Sequence, residues 1–424
     1  MEIIEYGSPA ILELSISDAD AIRDASASWK LNLKLKKDPF SLSKLSHDKY
    51  GFRAIGVAGF IRVGRINLEI APKFLNNEST GPGWRTAMWR FLAYGRGVES
   101  IGQASGHFQN GTGIADILAD MFLSSLKGAS IRGYPLGYKP IRCDSFFAKG
   151  VLDPRKYSKL LPATGKVGVI STQLTNDIAP NQLLKWAGLE LARSVESSER
   201  RKKLNLWLSD LAGVSHIPPP SEMVKFSCRQ YPHLTQAMNI ARLLYEDRVV
   251  GYGKGELNLP GFLWDSDDLF ERAVRRLFSE ASRPLGFSVS KERYPLADSV
   301  DTSMITIPDV DLKLGGRTVF LADAKYKLLG KNPKNEDFYQ VLAGGRVKGV
   351  SKVSLVYPKS GSGISSKLYK PKGVGNPSEV IVVQIGLESF STRNDIRRLR
   401  ADMTSWIIKT IQLPEQKIAP LPAN

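Results

Sequence analysis

Cysteine and histidine are scarce in this chain. Its 424 residues hold two cysteines, Cys143 and Cys228, and four histidines, His47, His107, His216 and His233. Two cysteines build neither a disulfide framework nor a cysteine-rich zinc site. The histidines are far apart and none shows HxxxH spacing, which excludes a His-based zinc site. Long apolar runs are also missing: nothing approaches the roughly 18 residues of a bilayer-spanning helix. Met1 to Tyr6 carries two glutamates and no basic segment, so no signal peptide is expected. A reduced, cytoplasmic setting fits these absences. Gly-Lys pairs occur within Gly251–Gly255, at Gly165-Lys166 and at Gly330-Lys331, but none completes GxxxxGK[ST]. The chain therefore lacks an NTP site of its own, and any nucleotide energy must come from a partner.

What the chain has in excess is positive charge. Lys plus Arg number 59 against 42 Asp plus Glu, a formal net charge of +17. A polyanion is the partner this implies, with nucleic acid the first candidate. Apolar residues make up 42% and charged residues 24%, so the chain is globular rather than disordered. The basic excess is spread out, ten over residues 1–260 and seven over 261–424, with no basic tail.

The length divides into about two to three domains, and the pattern reads as a multidomain α+β chain. Residues 1–80 read as a small β domain: Phe52 to Val63, then Ile66 to Ile70, with glycine punctuation and Pro72 as a stop. Residues 81–258 read as mostly helical, with helices at Trp84–Tyr94, Gly113–Leu126, Asn181–Ser194 and Leu234–Tyr245. Glu199 to Lys203 reads as a solvated helix face, and Pro218-Pro219-Pro220 as a stiff connection. Residues 259–424 read as an α/β domain with a mixed sheet. Its helices are expected at Asp267–Ala281, Glu336–Arg346 and from Ser391 or Thr392 to Ile411. Its strands are expected at Phe287–Arg293, Ile305–Leu314, Thr318–Tyr326, Val353–Tyr357 and Val380–Ile385.

The strongest local signal is Pro308-Asp309, then 13 residues, then Asp323-Ala324-Lys325. Strand residues i and i+2 share a face, so Asp323 and Lys325 project together, and Lys327 follows if the strand continues. Two carboxylates hold Mg²⁺ through oxygen and leave room for water and phosphate. A nearby lysine orients water or stabilises developing negative charge. Register decides whether the set assembles. A two-residue loop at Gly315-Gly316 puts Asp309 opposite Ala322, with Asp323 on the other face. A three-residue loop, or an equivalent bulge, puts Asp309 opposite Asp323. Apolar patterning allows both; the chemistry selects the second.

Glu271, on the edge of the preceding helix's apolar stripe, is a candidate third metal ligand; the alternative is a surface glutamate paired with Arg275 at i+4. Asp311 shares a face with Asp309 in either register, and reads also as a solvated strand residue. Gln340, on the helix after the lysine, is a candidate for binding phosphate or water. Arg275, Arg276, Arg397, Arg398 and Arg400 are candidate phosphate contacts, the last three also reading as a solvated helix face.

These residues resemble the PD-(D/E)xK nuclease superfamily, and the longer context resembles the McrC family, the nuclease subunits of McrBC-type modification-dependent restriction systems. Asn67 to Phe74 resembles a family strand end (LEI-x-PK). Asp177 to Lys185, within Gln173–Leu191, resembles a family helix start, and Asp268-Leu269-Phe270-Glu271 an LFE helix. Pro308-Asp309, Asp323 to Lys327, Phe338-Tyr339-Gln340 and Val356-Tyr357-Pro358 resemble the nuclease core. The matches run in order over 67–358. Gly344 departs from the pattern, standing where such nucleases often carry tyrosine. The resemblance implies a restriction-endonuclease-like C-terminal domain, a catalytic set of Asp309, Asp323 and Lys325, and Mg²⁺ as the metal. It also implies double-stranded DNA as substrate and a McrB-like AAA+ GTPase hexamer as partner, contacted through the N-terminal β region. Two other functions remain open on the sequence. One is a catalytically inactive adaptor of an AAA+ GTPase, the other a stand-alone basic DNA-binding or repair nuclease.

Overall fold

A computed structural model describes residues 1–63, 66–75, 84–97, 113–153, 164–215, 231–246, 261–298, 303–372, 375 and 377–411. The Pro218–Pro220 connection, the Gly251–Gly255 segment, Cys228, His107 and His216 lie outside these residues. The chain forms two compact units, one of Met1–Glu99 with Val249–Asn424, the other of Ser100–Arg248. Among the described residues no helix is long and apolar enough to cross a membrane.

The first unit opens with β1 (Glu2–Ile4), β2 (Ala10–Glu13), α1 (Ile16–Asn32), β3 (Phe40–Lys44), β4 (Lys49–Ala54), β5 (Val57–Val63), β6 (Ile66–Ala71) and α2 (Trp84–Gly95). Helix α1 was not expected, because alanines carry much of its buried side and leave only Ile22 and Trp29 as large apolar signals. Its start follows capping rules: Ser15 Oγ accepts from the Asp18 amide at 3.1 Å. Trp29, Phe40, Phe52, Ile61 and Leu68 form one core beneath it. Each such side chain contributes about 1.5–3 kcal/mol by burial.

The second unit contains α3 (Ile114–Ser125), α4 (Ala129–Arg132), β7 (Gly137–Ser145), β8 (Val151–Leu152), β9 (Val167–Thr175), α5 (Ala179–Ser194), α6 (Ser198–Ser209) and α7 (Thr235–Glu246). The helices follow the sequence, but the three-stranded sheet β7-β9-β8 does not. Along β7 half-buried and exposed positions alternate without a buried one, so no apolar face announces it. The charge run in α6 is only partly solvated: Arg200 forks onto Asp120 at 2.8–2.9 Å.

The rest of the first unit runs β10 (Gly261–Asp265), α8 (Ser266–Ser282), β11 (Phe287–Ser290), β12 (Tyr294–Asp298), β13 (Ser303–Thr306), β14 (Val310–Leu314), β15 (Arg317–Ala324), α9 (Asn335–Lys348), β16 (Lys352–Lys359), β17 (Ile364–Tyr369), β18 (Glu379–Gly386) and α10 (Arg393–Ile411). Strand β10 pairs antiparallel with β5 and completes the sheet β1-β6-β5-β10. That pairing is why the two terminal stretches of chain form one unit. The mixed sheet has order β11-β14-β15-β16-β18-β17. Strands β15, β16 and β18 are parallel, and β11, β14 and β17 join antiparallel. Leu321, Val353, Leu355, Val380 and Val382 pack against Val341 of α9. Phe320 meets Phe278 of α8 and Trp406 of α10. The sheet therefore lies between helical layers.

Helix α9 runs uninterrupted through Gly344 and Gly345. A methyl group on Gly345 would sit 2.6 Å from Val353 Cγ1 and 2.9 Å from Pro377 Cγ, so the glycine sets how closely the helix approaches β16. Helix propensity alone makes Gly→Ala stabilising by about 1 kcal/mol. Overpacking reverses the sign here, and Gly345→Ala should lower unfolding stability by about 1–3 kcal/mol. Chemical denaturation measures it; a stabilised variant would contradict the packing.

Candidate active site

The β14–β15 hairpin settles the register. Gly315 and Gly316 both have positive φ, 57° and 81°, the signature of a tight two-residue loop. Leu314 pairs with Arg317 and Lys313 with Thr318. Beyond a bulge, Leu312 pairs with Phe320, Asp311 with Leu321 and Val310 with Ala322. Val319 is the extra residue. The loop is thus the short one, and the bulge restores the register that brings Asp309 to Asp323. Asp309 Oδ2 accepts from the Ala324 amide at 2.8 Å, which fixes it beside the end of β15.

Both carboxylates are buried. Burial, and then the charge of Asp323, push the Asp309 carboxyl above its ordinary range. Asp323 Oδ2 lies 2.5 Å from Lys325 Nζ as an ion pair, with no hydrogen bond of good geometry at that oxygen. Lys325 Nζ also donates to Gln340 Oε1 at 2.9 Å. Burial alone would lower the Lys325 pKa, but Asp323 outweighs it and the net shift is upward. At neutral pH Lys325 is therefore a cation. Lys327 does not follow Lys325 onto this set; it binds Asp337 at 2.6 Å, which also accepts from Tyr357 Oη at 2.9 Å.

Other sequence candidates lie differently. Glu271 pairs with Arg275 and with Lys291, and Lys291 Nζ also lies 3.2 Å from Asp309 Oδ1. Burial, then the charge of Asp309, raise the Glu271 pKa. Arg275 is committed too, its Nε donating to the Asp309 carbonyl at 2.9 Å. Asp311 is fully buried rather than solvated, accepting from Tyr294 Oη and facing Lys313 Nζ at 3.4 Å. Arg276 and Arg400 face Glu280, whereas Arg397 and Arg398 are exposed. In the second unit the motif residues act as scaffold. Asn181 donates to the carbonyls of Pro135 and Asn176, and Lys185 to those of Leu211 and Val214.

The N-terminal strands brace this site. Tyr326, next to Lys325, donates from Oη to buried Glu5 Oε2 at 3.1 Å. Lys73 donates to the Tyr326 carbonyl at 3.1 Å and lies over the rings of Tyr6, Phe74 and Tyr326. Burial lowers the Lys73 pKa and pushes Glu5 up to about 7. Sequence reading placed Lys73 in a strand-end motif but missed Glu5, Lys291 and Asp337. Their partners lie 18 to 321 residues away in the chain for Lys291 and Glu5, beyond any local spacing signal; Asp337 sits only ten residues from Lys327.

Asp309, Asp323, Lys325, Gln340 and Glu271 line one cavity of about 580 Å³. Two buried carboxylates in one cavity suit a hard cation that keeps waters and takes phosphate oxygens. Among the described residues no three His, Cys, Asp or Glu side chains converge on a metal-binding point. Asp309 and Asp323 are the pair that fits such a cation, and Glu271 lines the same cavity, paired with Arg275 and Lys291.

Glu5 supplies a pH test. Its folded pKa is raised from 4.5 to about 7, so the folded state holds this proton more tightly than the unfolded chain. The contribution is fully present below pH 4.5 and is lost as pH rises to about 7. Its full size is on the order of 3 kcal/mol. Glu5→Gln should flatten the fall in stability across that window when unfolding is followed against pH. An equal fall in the variant would contradict the buried carboxyl.

Comparison with known proteins follows the same residues. The family described as McrBC 5-methylcytosine restriction system component matches residues 52–358. A chain in the refined half-complex of Thermococcus gammatolerans McrB AAA+ hexamers with bound McrC superposes with a TM-score of 0.60 at 17% identity. The match covers 96% of this chain and 100% of that one. A chain of the Thermococcus gammatolerans McrBC complex gives a TM-score of 0.43 at 19% identity, over 66% and 87% of the two chains. No curated protein matches. The family match spans most of the chain and contains the whole β14–β15 hairpin with Lys325 and Gln340, and the chain belongs to the McrBC 5-methylcytosine restriction system component family.

Proposed function

We propose that the chain is the Mg²⁺-dependent DNA endonuclease subunit of a McrBC-type restriction complex, with residues 259–424 a PD-(D/E)xK nuclease domain. The observation that carries this reading is the buried carboxylate pair beside a cationic lysine at the end of β15, within a cavity. The end of a parallel strand is where open α/β sheets take ligands. Asp309 and Asp323 would hold the cation, which when bound supplies charge neutralisation at the phosphate and a more acidic water. Lys325, steadied by Gln340, presents a fixed positive charge to the phosphodiester as negative charge develops. The Ala324 amide keeps Asp309 oriented, and Asp323 keeps Lys325 protonated.

An inactive adaptor is the less favoured reading. Burying like charges side by side costs folding free energy, and a sheet needs none of them for its own stability. The partner in this proposal is a McrB-like AAA+ GTPase hexamer, acting with the chain on methylated double-stranded DNA in the cytoplasm. The similar Thermococcus complex, which pairs McrC with McrB hexamers, supports that pairing. Exposed apolar side chains favour the second unit as a contact: Tyr138, Phe146, Phe147, Val151 and Leu174 of the β7–β9 region are all exposed. The sequence reading had assigned this contact to residues 1–80.

Asp309→Asn, Asp323→Asn and Lys325→Ala should each lower Mg²⁺-dependent cleavage of modified DNA by about a hundredfold or more. Each should leave partner binding and GTPase stimulation intact. Cleavage surviving all three changes would remove this site from the reaction.

A further inference from the structure

The cavity that holds Asp309, Asp323 and Lys325 has a second wall. It is made by the N-terminal strands and the α1–β3 connection, and it carries Lys34, Lys36 and Lys37. All three lysines are exposed, and among the described residues none is in an ion pair with a carboxylate. Their neighbour Lys30 is so paired, to Asp38 at 3.3 Å, which ties the two ends of the connection together. The Leu35 amide closes the turn onto the Lys30 carbonyl at 2.9 Å. Lys34 has φ +54°, a left-handed conformation that costs a side-chain-bearing residue about 1–2 kcal/mol and that glycine adopts freely. That conformation closes the C-terminal cap of α1, in which the Lys34 amide also donates to the Leu31 carbonyl at 3.3 Å.

The charges that line the cavity say what the three lysines can serve. The same cavity is rich in carboxylates: Asp265, Asp267, Asp268, Glu271, Asp309, Asp323 and Asp337 all line it. A polyanionic strand approaching them is repelled wherever no cation intervenes. Lys36 and Asp267 line this cavity together; burial raises the Asp267 pKa, and the charges of Lys73 and then Lys36 oppose that rise.

We propose that Lys34, Lys36 and Lys37 form a phosphate-backbone subsite, which takes the DNA strand flanking the phosphodiester at Lys325. The subsite rests on the nuclease reading above and deepens it: the N-terminal β region becomes one wall of the cleavage cleft.

The test uses the full chain and a fluorescein-labelled DNA duplex, with Ca²⁺ in place of Mg²⁺ so that binding is measured without cleavage. The variant is Lys34→Gly with Lys36→Gln and Lys37→Gln. Glycine removes the Lys34 charge while relieving its strain, so the melting temperature should hold or rise. Between about 50 and 200 mM salt, wild-type affinity falls with a slope of roughly 0.9 per phosphate neutralised. The variant should bind at least about tenfold more weakly, with a slope shallower by roughly two to three units. Lys34→Arg with Lys36→Arg and Lys37→Arg should restore both. In the Mg²⁺ reaction with the partner, the Gly/Gln variant should retain residual cleavage that low salt increases. Unchanged affinity, slope and cleavage in that variant would overturn the subsite while leaving the nuclease reading in place. A wild-type chain that neither binds nor cleaves DNA, with or without the partner, would overturn both.

Discussion

Two carboxylates buried side by side repel each other, and much of the chain around Asp309 and Asp323 answers that repulsion. Lys325 stands 2.5 Å from one and Lys291 stands 3.2 Å from the other. An amide at the end of β15 orients Asp309. Even so, burial and the neighbouring charge hold the Asp309 carboxyl above its ordinary range. Groups kept in that condition are where metal binding and catalysis concentrate. A single bulged residue, Val319, brings them together. Without it the same hairpin would send Asp309 and Asp323 to opposite faces of the sheet.

The second dependence is on the N-terminal strands. Because β10 pairs with β5, the chain that enters the C-terminal sheet is already part of the N-terminal one. Helix α8 starts directly after β10, capped by Asp265, and carries Glu271 and Arg275 to the site. Glu5 and Lys73 then hold Tyr326 by its hydroxyl and its carbonyl, one residue from Lys325. The position of the lysine is thus fixed from both sides: by β16, whose Val356 carbonyl accepts from the Lys325 amide at 2.8 Å, and by the N-terminal region.

The sequence made some of this legible and hid the rest for physical reasons. Helix α8 was readable because Leu269, Phe270, Ala273, Val274, Leu277 and Phe278 repeat at helical spacing. Strands β16 and β18 were readable as short, mostly apolar runs, Val353–Tyr357 and Val380–Ile385, interrupted only by Ser354 and Gln384. Helix α1 was not, since alanine carries little hydrophobic contrast. Edge strand β17 was not, since Ser365, Ser366 and Lys367 face solvent there. At the site, Asp309, Asp323 and Lys325 were visible because two strands and one loop bring them together over 17 residues. Their register was not decided by apolar pattern, since either face offers a plausible core. Glu5 and Lys291 were invisible because only tertiary packing joins them to Tyr326 and Asp309. Asp311 carried the same chemistry as Asp309 in sequence, and its fate depended on Tyr294 and Lys313, which close around it.

The central claim is that the Asp309–Asp323 pair holds the divalent cation on which cleavage depends. Loading the chain with Fe²⁺ in place of Mg²⁺, then generating hydroxyl radicals with ascorbate and peroxide, cuts the polypeptide beside the bound ion. Breaks should map next to residues 309 and 323. Excess Mg²⁺ should suppress them, and they should vanish when both aspartates become asparagine. Breaks confined to other parts of the chain, or unchanged in the double variant, would contradict the account.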